Sequence, residues 1–485
     1  MDKAPDASFF GHPRGLATLF FTEMWERFSY YGMRALLILF MTAPAARGGL
    51  GFDAAKAGSI YGLYTAMVYL SGLPGGWVAD RIFGLRRAVL YGGAVIALGH
   101  FSMALGGLTA FYMGLALIVI GTGLVKPNVS AMVGELYARE DRRRDAGYSL
   151  YYMGINIGAF ASPLICGYVG EKIEWHYGFG LAGIGMTLGL IQYALGGRHL
   201  GQAGLRVSRS ASSIRALGWS VAVAAAAAAG IALLAIGGFV RLTAQGISNV
   251  VGVLMVVLVA CLFGWLLFSS QWTKAERKRF LAVGLLFIAS AMFFSVFEQA
   301  GSSLNLFAER STDRTLFGHT YPASWFQSIN ALFIIALAPV LGWLWLRLGP
   351  REPSSPAKFV WALAAMALSF FIMSGAALSA ADGGRVTAAW LWATYLLHTV
   401  GELCLSPVGM SAFSKLAPAR VTGLMMGVWF LSLSVGNYMG GQVASLYETI
   451  PLPSLFAVVA LFAAVTGLAL AALVKPMKGM MGGVN

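Results

Sequence analysis

The chain has 485 residues, of which 58% are hydrophobic and only 11% charged, and its formal net charge is +14. Soluble domains carry roughly 25% charged residues, so this composition excludes a soluble globule and places the chain in lipid. The basic excess raises nucleic acid as a partner, but the placement of the basic residues removes that reading.

A membrane span needs about 20 mostly apolar residues. Lipid offers no partner for backbone N–H and C=O groups, so only helices or closed barrels cross it. The apolar runs here are long and lack a period of two, so helices are expected. The chain opens on a short polar stretch, MDKAPDASFFGHPRG, with no cleavable signal peptide expected. Fourteen spans follow in chain order, near 16–41, 57–79, 88–107, 110–135, 147–170, 177–196, 216–239, 246–270, 280–308, 323–346, 359–379, 388–414, 421–446 and 453–474. With this count, 24 of the 34 Lys and Arg fall in alternate loops and 7 in the others. That bias predicts a multi-pass protein of the cytoplasmic (inner) membrane with both termini cytoplasmic, and it explains the net charge as topology. No nucleic-acid partner is expected.

The chain reads as duplicated. "GTGLVKPNVSAM" (121–132) and "GELCLSPVGMSA" (401–412) align Gly121 with Gly401 and Lys126-Pro127 with Ser406-Pro407, and Glu23 and Glu298 lie at nearly the same offset. Two six-helix halves facing a central cavity are expected, as in transporters built from repeats. The predicted domains are 1–197 (N-terminal bundle), 198–275 (linker and inserted two-helix hairpin) and 276–485 (C-terminal bundle). The inserted pair is rich in Ala, Val, Leu and Gly, follows the polar linker "RVSRSASSIR", and is expected to pack outside the core.

Seven ionisable residues fall inside spans: Glu23, Glu26, Arg27, Arg34, Lys126, Glu298 and Glu402. Unpaired, at about 2.5–3.5 kcal/mol each, they would cost roughly 20 kcal/mol, so they are expected to pair around a shared polar cavity. At about 100° per residue, Glu23, Arg27, Tyr30 and Arg34 share one stripe of the first helix, with Glu26 and Tyr31 flanking it. Four carboxylates against three cations favour one protonated carboxylate, whose proton affinity changes when a neighbouring cation is engaged elsewhere. This is the requirement for a proton-coupled carrier. The two halves differ in sign, so a zwitterion fits, its carboxylate toward Arg27, Arg34 and Lys126 and its ammonium toward Glu402. Asn156, Asn330 and Ser406 offer neutral hydrogen bonds. Tyr30, Tyr31, Tyr69, Tyr152, Phe294, Trp325 and Trp429 are candidates to wall side-chain pockets. Cys166, Cys261 and Cys404 lie in apolar segments with no disulfide framework or metal spacing.

At these residues the sequence resembles a known family. "EMWERFSYYG" carries E-x-x-E-R-F-x-Y-Y in full and is similar to the first-helix signature of proton-dependent oligopeptide transporters (POT/PTR), a branch of the major facilitator superfamily. "YYMGINIGAF" (151–160) resembles the family's F-Y-x-x-I-N-x-G-S, departing at Tyr151 and Ala159. "FEQAGSSL" (297–304) and "GELCLSPVG" (401–409) resemble its seventh- and tenth-helix segments, and "GWVADRIFGLRR" (76–87) the superfamily's loop between helices two and three. The resemblance implies an all-α polytopic fold, the major facilitator fold of two six-helix bundles plus an inserted hairpin. It implies uptake of di- and tripeptides driven by protons through alternating access. Arg27, Tyr30, Tyr31, Arg34, Lys126, Asn156, Glu298, Asn330, Glu402, Ser406 and Trp429 are implied in the site. Glu23, Glu26 and Arg27 are implied in proton coupling, which Lys126 and Glu298 are expected to share. Phe294 stands where many relatives carry Trp, which bears on selectivity. Asp80 and Arg81 are expected to gate, with Arg86 and Arg87 nearby. No cofactor is expected beyond the coupling proton, and the partners expected are di- and tripeptides, protons and the lipid bilayer, for a monomer. The competing readings are a carrier of another organic anion or drug on the same fold, and a membrane enzyme or receptor. The paired Arg and Glu positions disfavour the first; the lack of a G-x-S-x-G motif or a metal-spaced cluster disfavours the second.

Overall fold

The structure is a computed structural model that describes residues 9–138, 141–205, 215, 217–219, 222 and 243–482. It is helical, as lipid requires of a chain with these apolar runs. In chain order the helices are α1 Arg14–Thr42, α2 Ala54–Leu70, α3 Gly72–Val78, α4 Leu85–Ala104, α5 Leu108–Glu135, α6 Arg144–Lys172 and α7 Trp175–Gly196. After these come α8 Ala244–Phe268, α9 Lys274–Phe297, α10 Ser303–Arg310, α11 Gln327–Leu348, α12 Ser355–Ser379, α13 Ala389–Leu416, α14 Thr422–Ala444 and α15 Leu452–Met480. Thirteen of the fourteen expected spans coincide with these helices, the second being α2 with α3 and the ninth α9 with α10. The seventh, 216–239, and the linker before it lie outside the described residues apart from a few positions. Two short strand pairs stiffen loops: Thr312–Asp313 runs parallel to Val386–Thr387, and Thr315–Leu316 antiparallel to His319–Thr320.

The chain packs as two compact units that do not follow its two halves. The first holds Met1–Met33, Leu70–Ser162 and His176–Ile247; the second holds Arg34–Tyr69, Pro163–Trp175 and Ser248–Asn485. The boundary cuts through the continuous helices α1 and α6. One end of each packs in the first unit and the other end, together with α2, packs with the C-terminal helices.

The first unit is built on Leu16, Leu19, Val89, Ile96, Val129 and Met186, all buried. Within it α4 and α5 meet backbone to backbone. A Cβ on Gly92 would lie 2.7 Å from the Gly121 carbonyl oxygen, and one on Gly114 2.7 Å from that of Gly99. Lipid gives no hydrophobic drive between helices, so such small-residue contacts carry the packing. In the second unit α2 lies on α14 through Gly62 and Gly441 in the same way, and Phe307, Phe370 and Phe456 form the aromatic centre. Helix α8 touches α14 along one edge, where Gln442 Nε2 donates to Ser248 Oγ at 2.9 Å. Its Val250, Val253, Leu254 and Val256 remain exposed, a face suited to lipid.

Candidate functional site

Helix α1 carries the charges that hydropathy disfavours, and its neighbours are cut back to receive them. Gly154 and Gly158 of α6 form a small-residue pair against α1: a Cβ on Gly158 would sit 3.1 Å from Arg27 Cβ, and one on Gly154 3.0 Å from the Phe20 carbonyl oxygen. Trp25 and Phe28 turn the other way, edge to face with each other and against Gly185 of α7. The polar stripe is thereby separated from the packing face, as the helical period predicts.

In the first unit Glu23, Glu26 and Arg27 are buried together. Arg27 Nε lies 3.1 Å from Glu23 Oε1 and also contacts Glu26 Oε2. Neither oxygen of Glu26 accepts an aligned hydrogen bond, so charge rather than directed bonding holds it. Lys126 on α5 acts on Glu26 electrostatically. It precedes Pro127, which removes an N–H from the helix ladder at that level. The Arg27 guanidinium lies 5.5 Å from the Tyr30 ring centre, and Tyr30 meets Tyr31 edge to face at 5.2 Å. Asn156 is buried on α6, bonded locally to the Tyr152 carbonyl, while Tyr152 is exposed. The Tyr151 hydroxyl interacts electrostatically with Glu23. Sequence reasoning noted this position only as a departure from Phe; the added hydroxyl was the available signal.

The second unit has its own cluster. Arg34 Nη2 donates to Glu298 Oε2 at 2.5 Å and Arg34 Nε donates to the Tyr61 hydroxyl oxygen at 2.7 Å. Tyr61 was missed from the sequence because nothing in α2 marks one tyrosine among several. Glu298 stands where α9 ends and the chain tightens into a 3₁₀ turn over Glu298–Gly301 before α10. This mid-membrane break is tolerated because its polar groups are satisfied. Gln299 Nε2 donates to the Ser295 and Gly440 carbonyls, and the Tyr395 hydroxyl donates to Ala300 O. A Cβ on Gly301 would lie 2.9 Å from Arg34 Nη2 and strike the Tyr61 hydroxyl, so these side-chain ends would have to shift. Glu402 is partly exposed and accepts from Asn330 Nδ2 at 3.0 Å, an amide that also donates to Thr399. Ser406, before Pro407, and Tyr69 are partly exposed. Phe294 and Trp429 are buried with ring centres 6.0 Å apart, and Trp429 packs on Phe413. Trp325 donates its indole N–H to the Leu164 carbonyl and stacks on Tyr321.

The same unit contains a row of stitches. Glu448 accepts from the Ala54 N–H at 3.0 Å and from Arg310 at 2.7 Å. Glu171 accepts from the Ala323 and Ser324 N–H groups at 2.8 Å each, with Arg314 at 3.7 Å. Asn305 Nδ2 donates to Ala35 O and Ser434 Oγ to Ala66 O. These bonds tie α1, α2 and α6 ends to C-terminal helices. Asp80 and Arg81 lie exposed in the five-residue turn Ala79–Phe83 that closes on Gly84, whose φ of 80° suits glycine. No group of His, Cys, Asp or Glu among the described residues is arranged to hold a metal ion.

A chain with buried charges on two units and a broken mid-membrane helix has the parts of a carrier, and its relatives are carriers. It is 43% identical over 482 residues to the uncharacterized transporter YclF of Bacillus subtilis (strain 168), covering 99% of this chain and 97% of that protein. It is 37% identical over 495 residues to a di-/tripeptide transporter of Lactococcus lactis subsp. lactis (strain IL1403), covering 99% of each. Its fold matches the crystal structure of a peptide transporter POT in complex with sulfate with a TM-score of 0.94 at 42% identity, over 99% of this chain and 98% of that one. The sequence profile of the POT family matches residues 86–459, and the chain belongs to that family.

Proposed function

We propose that this protein is a proton-coupled symporter that imports di- and tripeptides across the cytoplasmic membrane by alternating access, with both termini cytoplasmic. The observation that carries the reading is Glu26: a buried carboxylate in direct contact with Arg27 and in the field of Lys126. A proton on Glu26 frees Arg27, and with Lys126 it becomes a cation for a peptide's carboxylate. Glu402, held by the neutral Asn330, is the carboxylate for the peptide's ammonium. Tyr30, Tyr31, Tyr69, Tyr152, Asn156 and Ser406 supply hydrogen bonds and pocket walls, and Phe294 and Trp429 shape them from behind. Glu23 and Glu298 complete the proton-coupling set. Release of Glu298 from Arg34 loosens the second unit's stitches, and Asp80 and Arg81 act as gating residues. The proton is the coupling ion, no further cofactor takes part, and the monomer is the working unit.

The names of the relatives, a di-/tripeptide transporter and a peptide transporter, support this substrate class. The test is uptake of a labelled dipeptide into liposomes under an inward proton gradient. Stimulated uptake is expected, competed by tripeptides and not by free amino acids. Glu26→Gln should abolish gradient-driven accumulation and keep peptide counterflow. Uptake indifferent to the gradient in the parent protein overturns the reading.

A further inference from the structure

A cavity of about 690 Å³ lies in the first unit, in the cleft between the start of α1 and the end of α7. The two helices are joined across its floor, where Thr18 Oγ1 donates to Gly196 O at 3.3 Å and Thr22 Oγ1 to Gln192 Oε1 at 3.2 Å. The small residues Ala17 and Gly196 leave the cleft above this floor open. Its walls are apolar and outward-facing. Leu188, Ile191 and Leu195 stand at i, i+3 and i+7 on one face of α7 and are 44, 52 and 72% exposed, opposite Phe21 of α1. This wall runs about 10 Å along the helix axis.

The cavity's other end is cationic. Arg14, the first residue of α1, and Arg198 and His199, in the 3₁₀ turn that follows α7, all line it, and both arginines are exposed. Among the described residues, no acidic side chain lines it. Phe9 closes the same end, and the neighbouring Phe10 is 77% exposed, the position of an aromatic at a membrane–water interface. An apolar slot open to lipid and ending in two or three cations at the membrane surface has the charge and shape of a phospholipid with an anionic headgroup. Basic pockets between membrane helices recognise such headgroups.

We infer that this cleft is a binding site for an anionic phospholipid, its phosphate held by Arg14, Arg198 and His199 and one acyl chain lying along Leu188, Ile191 and Leu195. The site is separate from the buried carboxylates, so the inference stands whether or not the protein moves peptides.

The full chain is tested in nanodiscs holding equal phosphatidylglycerol and phosphatidylcholine, followed by extraction and native mass spectrometry of the lipid retained. Phosphatidylglycerol should be retained in preference. Arg14→Gln with Arg198→Gln should lower that retention roughly 30-fold, equivalent to about 2 kcal/mol at about 1.4 kcal/mol per tenfold. Lys475→Gln with Lys478→Gln removes as much charge elsewhere and should retain lipid like the parent. Ile191→Trp fills the slot and should lose the retained lipid with both arginines in place. Equal retention of the two lipids overturns the inference. So does unchanged retention in the arginine pair, or full displacement by millimolar inorganic phosphate, which would make the site one for free anions.

Discussion

The two buried acid clusters are built on opposite plans. In the first unit two carboxylates and two cations balance, and Glu26 is held by charge without a directed donor. In the second, Arg34 is fixed at one nitrogen by Tyr61 and at another by Glu298, while Glu402 takes only an amide, which leaves one surplus carboxylate. A carboxylate that shares its cation with a second acid can take a proton while that acid keeps the cation company. A tightly bonded one has to break bonds first, which suits a latch, and a surplus one suits the capture of a cation. The difference teaches that similar acids at nearly the same repeat offset can do different work, set by the geometry of their donors.

The largest expected effect breaks the tight cluster. Arg34→Ala leaves Glu298 buried without its cation, which should cost about 3–5 kcal/mol and abolish uptake. Thermal unfolding in detergent checks it, and a loss below about 1 kcal/mol would show that Glu298 finds another partner. Gly301→Ala strikes Tyr61 and crowds Arg34, and overpacking of this kind costs about 1–3 kcal/mol. It should loosen the same latch without removing a charge, and Tyr61→Phe in that background should recover part of the loss.

A smaller change sharpens the loose cluster. Tyr151→Phe deletes a buried hydroxyl that interacts with Glu23, at a cost of about 1 kcal/mol. It should displace the pH profile of driven uptake and leave counterflow intact, and an unchanged profile would mean that Tyr151 only packs.

The smallest effect sits outside the membrane. Burial pushes the Glu448 carboxyl up, but hydrogen bonds from the Ala54 N–H and Arg310 outweigh it and hold the group below the ordinary Glu range. A lowered carboxylate stabilises above the unfolded-state value and loses that contribution as pH falls through the folded-state one. The pair is half-exposed, so about 0.2–1 kcal/mol is at stake. The melting difference between parent and Glu448→Gln should be full near neutral pH and close as the medium is acidified below the ordinary Glu range. A gap that persists there breaks the assignment.

Most of the helix count was legible because lipid is a simple solvent: a run such as 453–474 has one reading, and α15 fills it. The stripe on α1 was legible for the same reason, since four charges cannot be scattered round a lipid-facing helix. The grouping of 34–69 and 163–175 with the C-terminal helices has no local signal in the sequence. It depends on which end of α1 and α6 each neighbour grips, and nothing local to Met33 or Arg34 marks the change. Tyr61 and Glu171 were missed for related reasons. A phenol among other tyrosines, or an acid beside Lys172 at a helix end, gains its meaning only from a partner far along the chain. Two of the three positions that depart from the family pattern, Tyr151 and Phe294, are interpretable through their neighbours.

The sharing of α1 between the units has a consequence for how the protein is made. Arg34 and its partner Glu298 are 264 residues apart. At about 5–20 residues per second the ribosome needs roughly 13–50 s to supply the second after the first. For that interval a nascent membrane helix holds an arginine without its carboxylate, and Glu171 waits likewise for the N–H groups of Ala323 and Ser324. A chain stalled near residue 250 is therefore an assembly intermediate that holds all of the first unit and several loose helix ends, the state that insertases and membrane quality control would meet.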